Sequence, residues 1–205
     1  MSGRQRLEPR KQPRQVRAEL TRQRILAAAA QVFAEHGYAG GTTNRIAEQA
    51  RVSIGSLYQY YPNKDAILVA LVSGHLDAGE ADVRRFLADG LPATLPEAIR
   101  LFVRAAVRNH LDDPHLLRVM FEQSPSSPEL LAKVTEHERR YLASAREMME
   151  RYPGVRVGDR DMAALIIVST IELVVHKVIA TYESVDLVVF EDELVAMLTR
   201  YLIPV

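Results

Sequence analysis

The sequence predicts an all-α protein, in which three short helices form an N-terminal domain and longer helices form a C-terminal bundle. Apolar residues recur at helical spacing along most of the chain. Proline and glycine separate these segments, as they do at helix boundaries. Runs rich in valine and isoleucine, such as residues 164–168, could also be strands. Their uninterrupted length and the lack of an Asn-Gly hairpin signal in this half favour helix.

The N-terminal half begins with an amphipathic helix that ends at Gly37. Two short helices follow, joined by a tight connection at Arg51 and Val52, and Pro62 ends the second of them. A longer helix then begins. The residues that we expect to cap these four helices are Thr21, Thr42 or Thr43, Ser53 and Asn63.

The C-terminal half reads as helical throughout. The segment 159–182 is apolar nearly all round, which indicates a helix buried on more than one side. The predicted helices run to about Leu87 and over about 96–110, 113–121, 128–152, 159–182 and 188–202. We therefore expect a basic arm at 1–17, a three-helix domain at 18–78 and a bundle at 79–205.

Composition excludes several classes of protein. Of the 205 residues, 48% are apolar and 25% charged, which is ordinary for a globular chain and excludes a disordered one. The lack of cysteine excludes a disulfide scaffold and thiolate metal sites. The N-terminus has no apolar core, so we expect no signal peptide. The longest charge-free apolar stretch, Met162–Ile171, is too short to span a bilayer.

The charges are unevenly distributed although the net charge is zero. Residues 1–64 contain eleven Lys or Arg and four acidic residues, which gives +7. Residues 65–205 carry the balancing −7. This separation predicts that the N-terminal part meets a polyanion. A tail that only increases solubility is the alternative.

The second and third helices have the pattern of a helix-turn-helix. In the third, Leu57 and Tyr61 share the inward face, and small residues near Ser53 let the helix approach a major groove closely. The stretch TTNRIAEQARVSIGSLYQYYPNK, residues 42–64, resembles the DNA-binding motif of the TetR family of bacterial repressors. Residues 25–29 and 33–38 resemble that family's first helix. The resemblance covers about residues 20–72.

The resemblance implies which residues contact DNA. It assigns phosphate contacts to Thr43, Tyr60 and Lys64, whose hydroxyl and ammonium groups suit phosphate oxygens. Tyr61 is better read as a core residue. Tyr58 and Tyr60 could also be core aromatics and Ile54 an ordinary exposed residue, but we prefer DNA contact for the two tyrosines. Base-edge or sugar contacts are implied for Asn44, Ile54, Gly55, Ser56 and Tyr58, and the whole predicted DNA-binding set also includes Thr42, Arg45 and Ser53.

One residue departs from the family pattern. Arg51 stands in the turn where the family usually has glycine. A left-handed backbone costs more for arginine than for glycine. The alternative expectation is that Arg51 adds a phosphate contact.

The resemblance also implies that the last two helices form a homodimer interface. The apolarity of segment 159–182 agrees with this, because a monomer would expose too much of it. The alternative is that these residues fill the chain's own core. The predicted interface residues are Leu165, Ile166, Ser169, Leu173, Leu194, Met197 and Leu198.

An effector cavity is expected among the helices from about 95 to 180. Glu172 and His176 lie one turn apart on an otherwise apolar helix, so we expect them to be polar anchors. For most of the other candidates, a plain core role is the alternative. His110, His115 and His137 are dispersed and form no metal signature. The predicted cavity residues are Phe102, Met120, Phe121, Tyr141, Met148, Met149, Tyr152, Glu172 and His176.

Together these features predict a cytoplasmic, ligand-responsive transcription regulator. It would bind a pseudo-palindromic operator in double-stranded DNA as a homodimer and be released by a small, largely apolar effector. We expect no cofactor, no metal, no membrane partner and no catalysis, because motifs such as G-x-S-x-G, GxGxxG and H-E-x-x-H are absent. A helical enzyme or interaction module carrying a helix-turn-helix is the alternative, with Glu172 and His176 as its acid/base candidates.

Overall fold

The computed structural model describes residues 13–86, 88, 90–111, 128–182 and 184–203, and within these ranges all regular structure is helical. This confirms the all-α prediction. Residues 1–12 of the predicted arm and the predicted helix at 113–121 lie outside the described residues. The helices are α1 (Pro13–Gly40), α2 (Thr43–Gln49), α3 (Ile54–Tyr60), α4 (Lys64–Phe86), α5 (Leu95–Leu111), α6 (Pro128–Arg151), α7 (Arg160–Thr181) and α8 (Leu187–Leu202).

Helix α1 begins earlier than the sequence pattern indicates. The cap predicted at Thr21 is wrong, because its hydroxyl donates to the carbonyl of Arg17 within the helix (2.9 Å). Pro13 suits a first helical position, and no breaker follows it. The end predicted at Gly37 is confirmed as a break in helical geometry, with φ 66° and ψ 171°.

The other predicted caps are confirmed by hydrogen bonds. The Thr42 hydroxyl accepts from the Arg45 amide (3.3 Å), and the Ser53 hydroxyl accepts from the Ser56 amide (3.0 Å). The Asn63 side chain accepts from the amide of Ala66 (2.8 Å). These bonds satisfy amides that have no partner within the helix.

The N-terminal helices enclose one apolar core. Its largest fully buried side chains are Phe33 from α1, Ile46 from α2, Leu57 from α3 and Ile67 from α4. Helix α4 therefore belongs to this core over its first turns. Further along it packs against α5 and α6, and this makes it the element shared by the two parts of the molecule.

The C-terminal helices enclose a second core. Ile99, Val103, Met149, Ile167 and Leu198 are among its buried residues. Helix α7 contacts α5, α6 and α8, as expected for a helix buried on several sides. By length and mean hydropathy (2.0), α7 could also cross a membrane, but core helices of soluble proteins share these properties.

One face of α7 and α8 remains apolar and exposed. On α7, Leu173 is 57% exposed, and on α8, Val188 is 69% exposed. We call this set the outer apolar face. Its members are Met162, Leu165, Ile166, Leu173, Val174, Val188, Val189, Met197 and Tyr201.

Candidate nucleic-acid interface and ligand cavity

The turn between α2 and α3 depends on a left-handed residue. Arg51 has φ 53°. Its amide donates to Glu48 O (3.0 Å), and the Val52 amide donates to Ala47 O (3.0 Å). This pair of bonds is the Schellman pattern, which normally places glycine at the left-handed position. The departure noted at Arg51 is thus a real backbone cost in this fold.

Side chains of α1 hold the turn in place. Arg24 donates to the carbonyls of Ala50 and Arg51, the second at 3.2 Å. Arg22 donates to the Tyr61 hydroxyl (3.1 Å). Two of the basic residues counted toward the N-terminal charge therefore also have structural roles, which the sequence alone did not reveal.

The predicted DNA-contacting residues lie on α2 and α3, at the residues that cap them, and at Lys64, the first residue of α4. Tyr58 is 50% exposed and Ile54 38% exposed, while Tyr61 is buried, which confirms its core role. The Thr43 and Tyr58 hydroxyls lie 3.1 Å apart and share a hydrogen bond. Thr42, Asn44, Arg45, Ser53 and Gly55 are exposed, and Thr43, Ser56, Tyr60 and Lys64 are half-buried.

An open groove runs between the start of α1 and α3. Arg17, Arg24 and Arg51 line it together with Ser53 and Tyr60. Of the five, Arg17 and Arg24 were missed as site residues, because only the packing of α1 against the turn brings them to Arg51. A concave surface carrying three guanidinium groups attracts phosphate.

Lys64 is already partly engaged. Its Nζ donates to Tyr38 O (2.9 Å) and lies 4.1 Å from the centre of the Tyr38 ring. Burial, with a hydrogen bond to Asp65, raises the pKa of the Tyr38 hydroxyl. An ammonium has three donors, so contact with Tyr38 leaves Lys64 able to bind a phosphate as well.

A cavity of about 50 Å³ lies in the bundle, between α4, α5, α6 and α7. Of the predicted cavity residues, Phe102, Tyr141, Met148 and Glu172 line it. Met120 and Phe121 lie outside the described residues. The other three are placed elsewhere: Met149 is fully buried in the core, Tyr152 donates to Pro92 O (2.6 Å), and His176 lies behind the wall against the His110 ring.

Histidines cluster at this cavity, and His110 and His137, which we expected to be dispersed, both line it. The His110 ring centre lies 5.1 Å from that of His75 and 5.8 Å from that of His176. His137 also lines the cavity, its ring 4.3 Å from that of Tyr141. Burial lowers the pKa of His75 to about 3 and that of His110 to about 4, so both are neutral at pH 7. His115 lies outside the described residues.

Two of these histidines have defined hydrogen bonds. His110 Nδ1 donates to Ala106 O (2.8 Å), and His75 Nε2 accepts from the side-chain amide of Asn109 (3.2 Å). Within the described ranges, no group of three or more His, Cys, Asp or Glu is arranged to hold a metal ion.

Glu172 is the acidic residue of the cavity wall. Burial raises the pKa of its carboxyl to about 7. In the part of the chain that the structure describes, no side chain forms a hydrogen bond or ion pair with it. An unpaired buried carboxyl is unfavourable when ionised, so this group is poised to gain a partner.

The predicted interface residues divide into two sets. Leu165, Ile166, Leu173 and Met197 belong to the outer apolar face, and Ser169 is half-buried. Leu194 and Leu198 instead are 4% and 2% exposed and pack in the chain's own core. For Leu194 and Leu198 the structure agrees with the alternative that these residues fill the chain's own core, because they lie on the side of α8 that packs against α5.

Two family models match this chain. "Bacterial regulatory proteins, tetR family" matches residues 25–71, and "Tetracyclin repressor-like, C-terminal domain" matches residues 94–202. The HTH-type transcriptional repressor SCO4008 of Streptomyces coelicolor is 32% identical over 137 residues, which are 65% of this chain and 67% of that protein. Two other curated regulators are matched over only 29% and 51% of their length.

Solved structures share the fold. The fatty acid degradation regulator FadR from Bacillus halodurans superposes with a TM-score of 0.73 at 23% identity, over 93% of this chain and 96% of that one. The transcriptional regulator FadR from Bacillus subtilis, in complex with stearoyl-CoA, superposes with a TM-score of 0.72 at 26% identity, over 87% and 98%. These matches agree with the helix-turn-helix and the bundle described above.

Proposed function

The chain belongs to the TetR family of bacterial transcription regulators, and from that premise we propose that it binds a pseudo-palindromic operator as a homodimer and is released by a small effector. The main support for this proposal is that the N-terminus of α3 is exposed and lies beside a groove lined by three arginines. A short helix with small residues at this end can enter a major groove, while the groove's cations meet the flanking phosphates.

The exposed residues divide by chemistry into two groups. Asn44, Ile54 and Tyr58 present an amide, an apolar surface and a phenol, which suit base edges. Lys64, with Thr43 and Tyr60, presents donors that suit phosphates. The groove adds Arg17, Arg24 and Arg51 to the phosphate group. On this division, sequence preference and salt dependence of binding depend on different residues.

The outer apolar face supports the homodimer. Its nine exposed apolar residues lie on two helices that contact each other, and a large exposed apolar patch is unusual on a monomer. A second copy of the chain, related by a two-fold axis, would cover the same set on both partners. Two DNA-binding domains held at a fixed spacing then match two half-sites of a palindrome.

The cavity supports the response to an effector. Its walls are mostly apolar, and 50 Å³ has room for only a few water molecules, less than the roughly 150 Å³ that a cavity needs to bind benzene. A larger ligand must therefore displace a wall, and α4 is one of the walls. A relative of this fold is solved in complex with stearoyl-CoA, which supports a large ligand for this architecture. The enzyme alternative gains no support from the matched families, which are regulators.

A salt titration of binding to the DNA upstream of its own gene tests the proposal. We expect a sequence-specific excess over random DNA and a steep decrease of affinity with salt. Equal affinity for any DNA would contradict it.

Two variants separate the contact classes. Lys64→Ala should weaken binding to all sequences and lower the salt slope by about 1, whereas Asn44→Ala should lose about 1–3 kcal/mol mainly on the operator. Lys133→Ala, an exposed position on α6, is the control for lost positive charge. If the Lys64 and Asn44 variants behave alike, the division of contacts is wrong.

A further inference from the structure

The polar groups of the cavity have an unusual charge balance. Among the described residues that line it, Glu172 is the one acid, and none is Lys or Arg. The remaining polar lining comes from His75, Asn109, His110, His137 and Tyr141. A ligand that brings an anionic group into this wall would find a carboxyl and no fixed cation to balance it.

The neutral histidines add acceptors to the same wall. Because His110 Nδ1 donates to Ala106 O, its proton lies there and Nε2 carries a lone pair. His110 is only 1% exposed, and its Nε2 atom is buried without a hydrogen-bond partner. His75 Nε2 is also an acceptor, but the Asn109 amide already donates to it. An unpaired buried acceptor such as His110 Nε2 is costly and indicates a missing donor.

An apolar region adjoins these acceptors. Val83, Ile99, Phe102, Met148 and Ile167 line the cavity together with alanines. A suitable occupant therefore has an apolar body and a head that donates several hydrogen bonds. A protonated amine has these properties, because it supplies up to three N–H donors and a charge opposite to that of a carboxylate.

We propose that this cavity binds a lipophilic organic amine in its protonated form, with Glu172 as counter-ion and His110 Nε2 as a further acceptor. The proposal rests on the function proposed above and specifies the chemical class of its effector. It separates this chain from the relative solved with stearoyl-CoA, whose ligand carries phosphates.

Three probes of equal chain length test the proposal. Octylammonium, octanoate and octanol differ in the head group alone, and each is titrated calorimetrically into the full-length protein without DNA. We expect octylammonium to bind more tightly than octanol, and octanoate to bind most weakly. Glu172→Gln keeps the shape of the side chain and removes the charge. It should weaken octylammonium binding on the order of 30-fold or more and leave octanol binding unchanged.

Controls make each outcome decisive. Glu150→Gln removes an exposed acid of α6 outside the cavity and should change nothing. Retained octanol binding shows that the Glu172 variant is folded. Equal binding of the three probes, preference for octanoate, no binding of octylammonium, or an unchanged affinity in Glu172→Gln would each overturn the proposal.

Operator release separates this proposal from the function on which it rests. If octanoate but not octylammonium releases the protein from its operator, the effector-driven release stands and the amine assignment fails. If octylammonium binds through Glu172 without changing operator affinity, the amine site stands and effector-driven release fails.

Discussion

The substitution Glu172→Gln should remove a pH-dependent loss of stability from this protein. Burial raises the pKa of the Glu172 carboxyl from its ordinary value of 4.5 to about 7 in the folded protein. This rise in the pKa corresponds to about 3 kcal/mol of free energy of unfolding. Glutamine has nearly the same shape and no titrating group.

The sign of the effect follows from proton binding. Between pH 4.5 and 7, the folded protein holds the Glu172 proton and the unfolded chain does not, so rising pH lowers stability. The loss is complete above about pH 7. The free energy of unfolding of Glu172→Gln minus that of the wild type should therefore rise by about 3 kcal/mol from pH 4.5 to 8.

Other groups around the cavity titrate as well. Burial lowers the pKa values of His75, His110 and His137. These three histidines therefore make the folded protein less stable as the pH falls below 6.5. Tyr141 also lies near the Glu172 carboxyl, and His176 follows Glu172 by one turn of α7. These contributions occur in both proteins and cancel in the difference to the extent that the substitution leaves them unchanged.

Urea denaturation at pH 5, 6, 7 and 8 measures the difference directly. The protomer concentration must be fixed, because dimerisation would add to apparent stability. Glu150→Gln, at an exposed site, should show no pH-dependent difference. If the difference in free energy of unfolding between Glu172→Gln and the wild type does not change with pH, the pKa of the Glu172 carboxyl is not raised by burial. If the difference falls as pH rises, the Glu172 carboxylate must instead be stabilised by a partner in the folded protein.

Three further substitutions test other features of the fold. Arg51→Gly should raise the free energy of unfolding, measured by urea denaturation, by about 0.5–1 kcal/mol. The reason is that removing the cost of a left-handed arginine outweighs the greater backbone entropy that glycine has in the unfolded chain. If the backbone at Arg51 were not left-handed, the free energy of unfolding would decrease instead. Asp159→Ala should cost about 1 kcal/mol in the same assay, because its carboxylate accepts from two amides at the start of α7. Leu173→Glu should yield monomers in sedimentation, whereas Leu131→Glu, equally exposed on α6, should not; dimers in both would place the interface elsewhere.

Features set by neighbours in sequence were predictable. The caps at Thr42, Ser53 and Asn63 depend on a side chain and an amide three residues away, so the sequence contains both partners. The break at Gly37 is equally local. The cap predicted at Thr21 was wrong, because a threonine inside a helix cannot be told from one at its start by sequence alone. No helix-breaking residue lies between Pro13 and the apolar face of α1 to mark the difference.

Features set by packing were not predictable. His75 and His110 are 35 positions apart and meet only because α4 packs against α5. The same reason hid Arg24 as a groove residue, since it meets Arg51 only through tertiary contact. Leu194 and Leu198 show the limit of apolar patterns, because a helix with two apolar faces does not reveal which face meets its own core.

Helix α4 physically connects the cavity with the DNA-binding domain. Its first turns pack Ile67 and Leu68 into the N-terminal core, and from His75 onward it lines the cavity. At Gly79 it approaches its neighbours so closely that an added Cβ would lie 3.0 Å from Asn109 Nδ2 and 3.1 Å from the Tyr141 hydroxyl oxygen.

This close approach limits how a ligand can enter. A cavity of about 50 Å³ with α4 packed at van der Waals distance cannot hold an octyl chain unless a wall moves. Any displacement of α4 changes the position of Ile67 and Leu68 and, with them, of α1 and α3. A rigid helix shared by two cores thus carries the movement over about 16 Å from His75 to Lys64. If the proposed effector-driven release is right, the small size of the unliganded cavity is what couples its occupancy to the position of the DNA-binding helices.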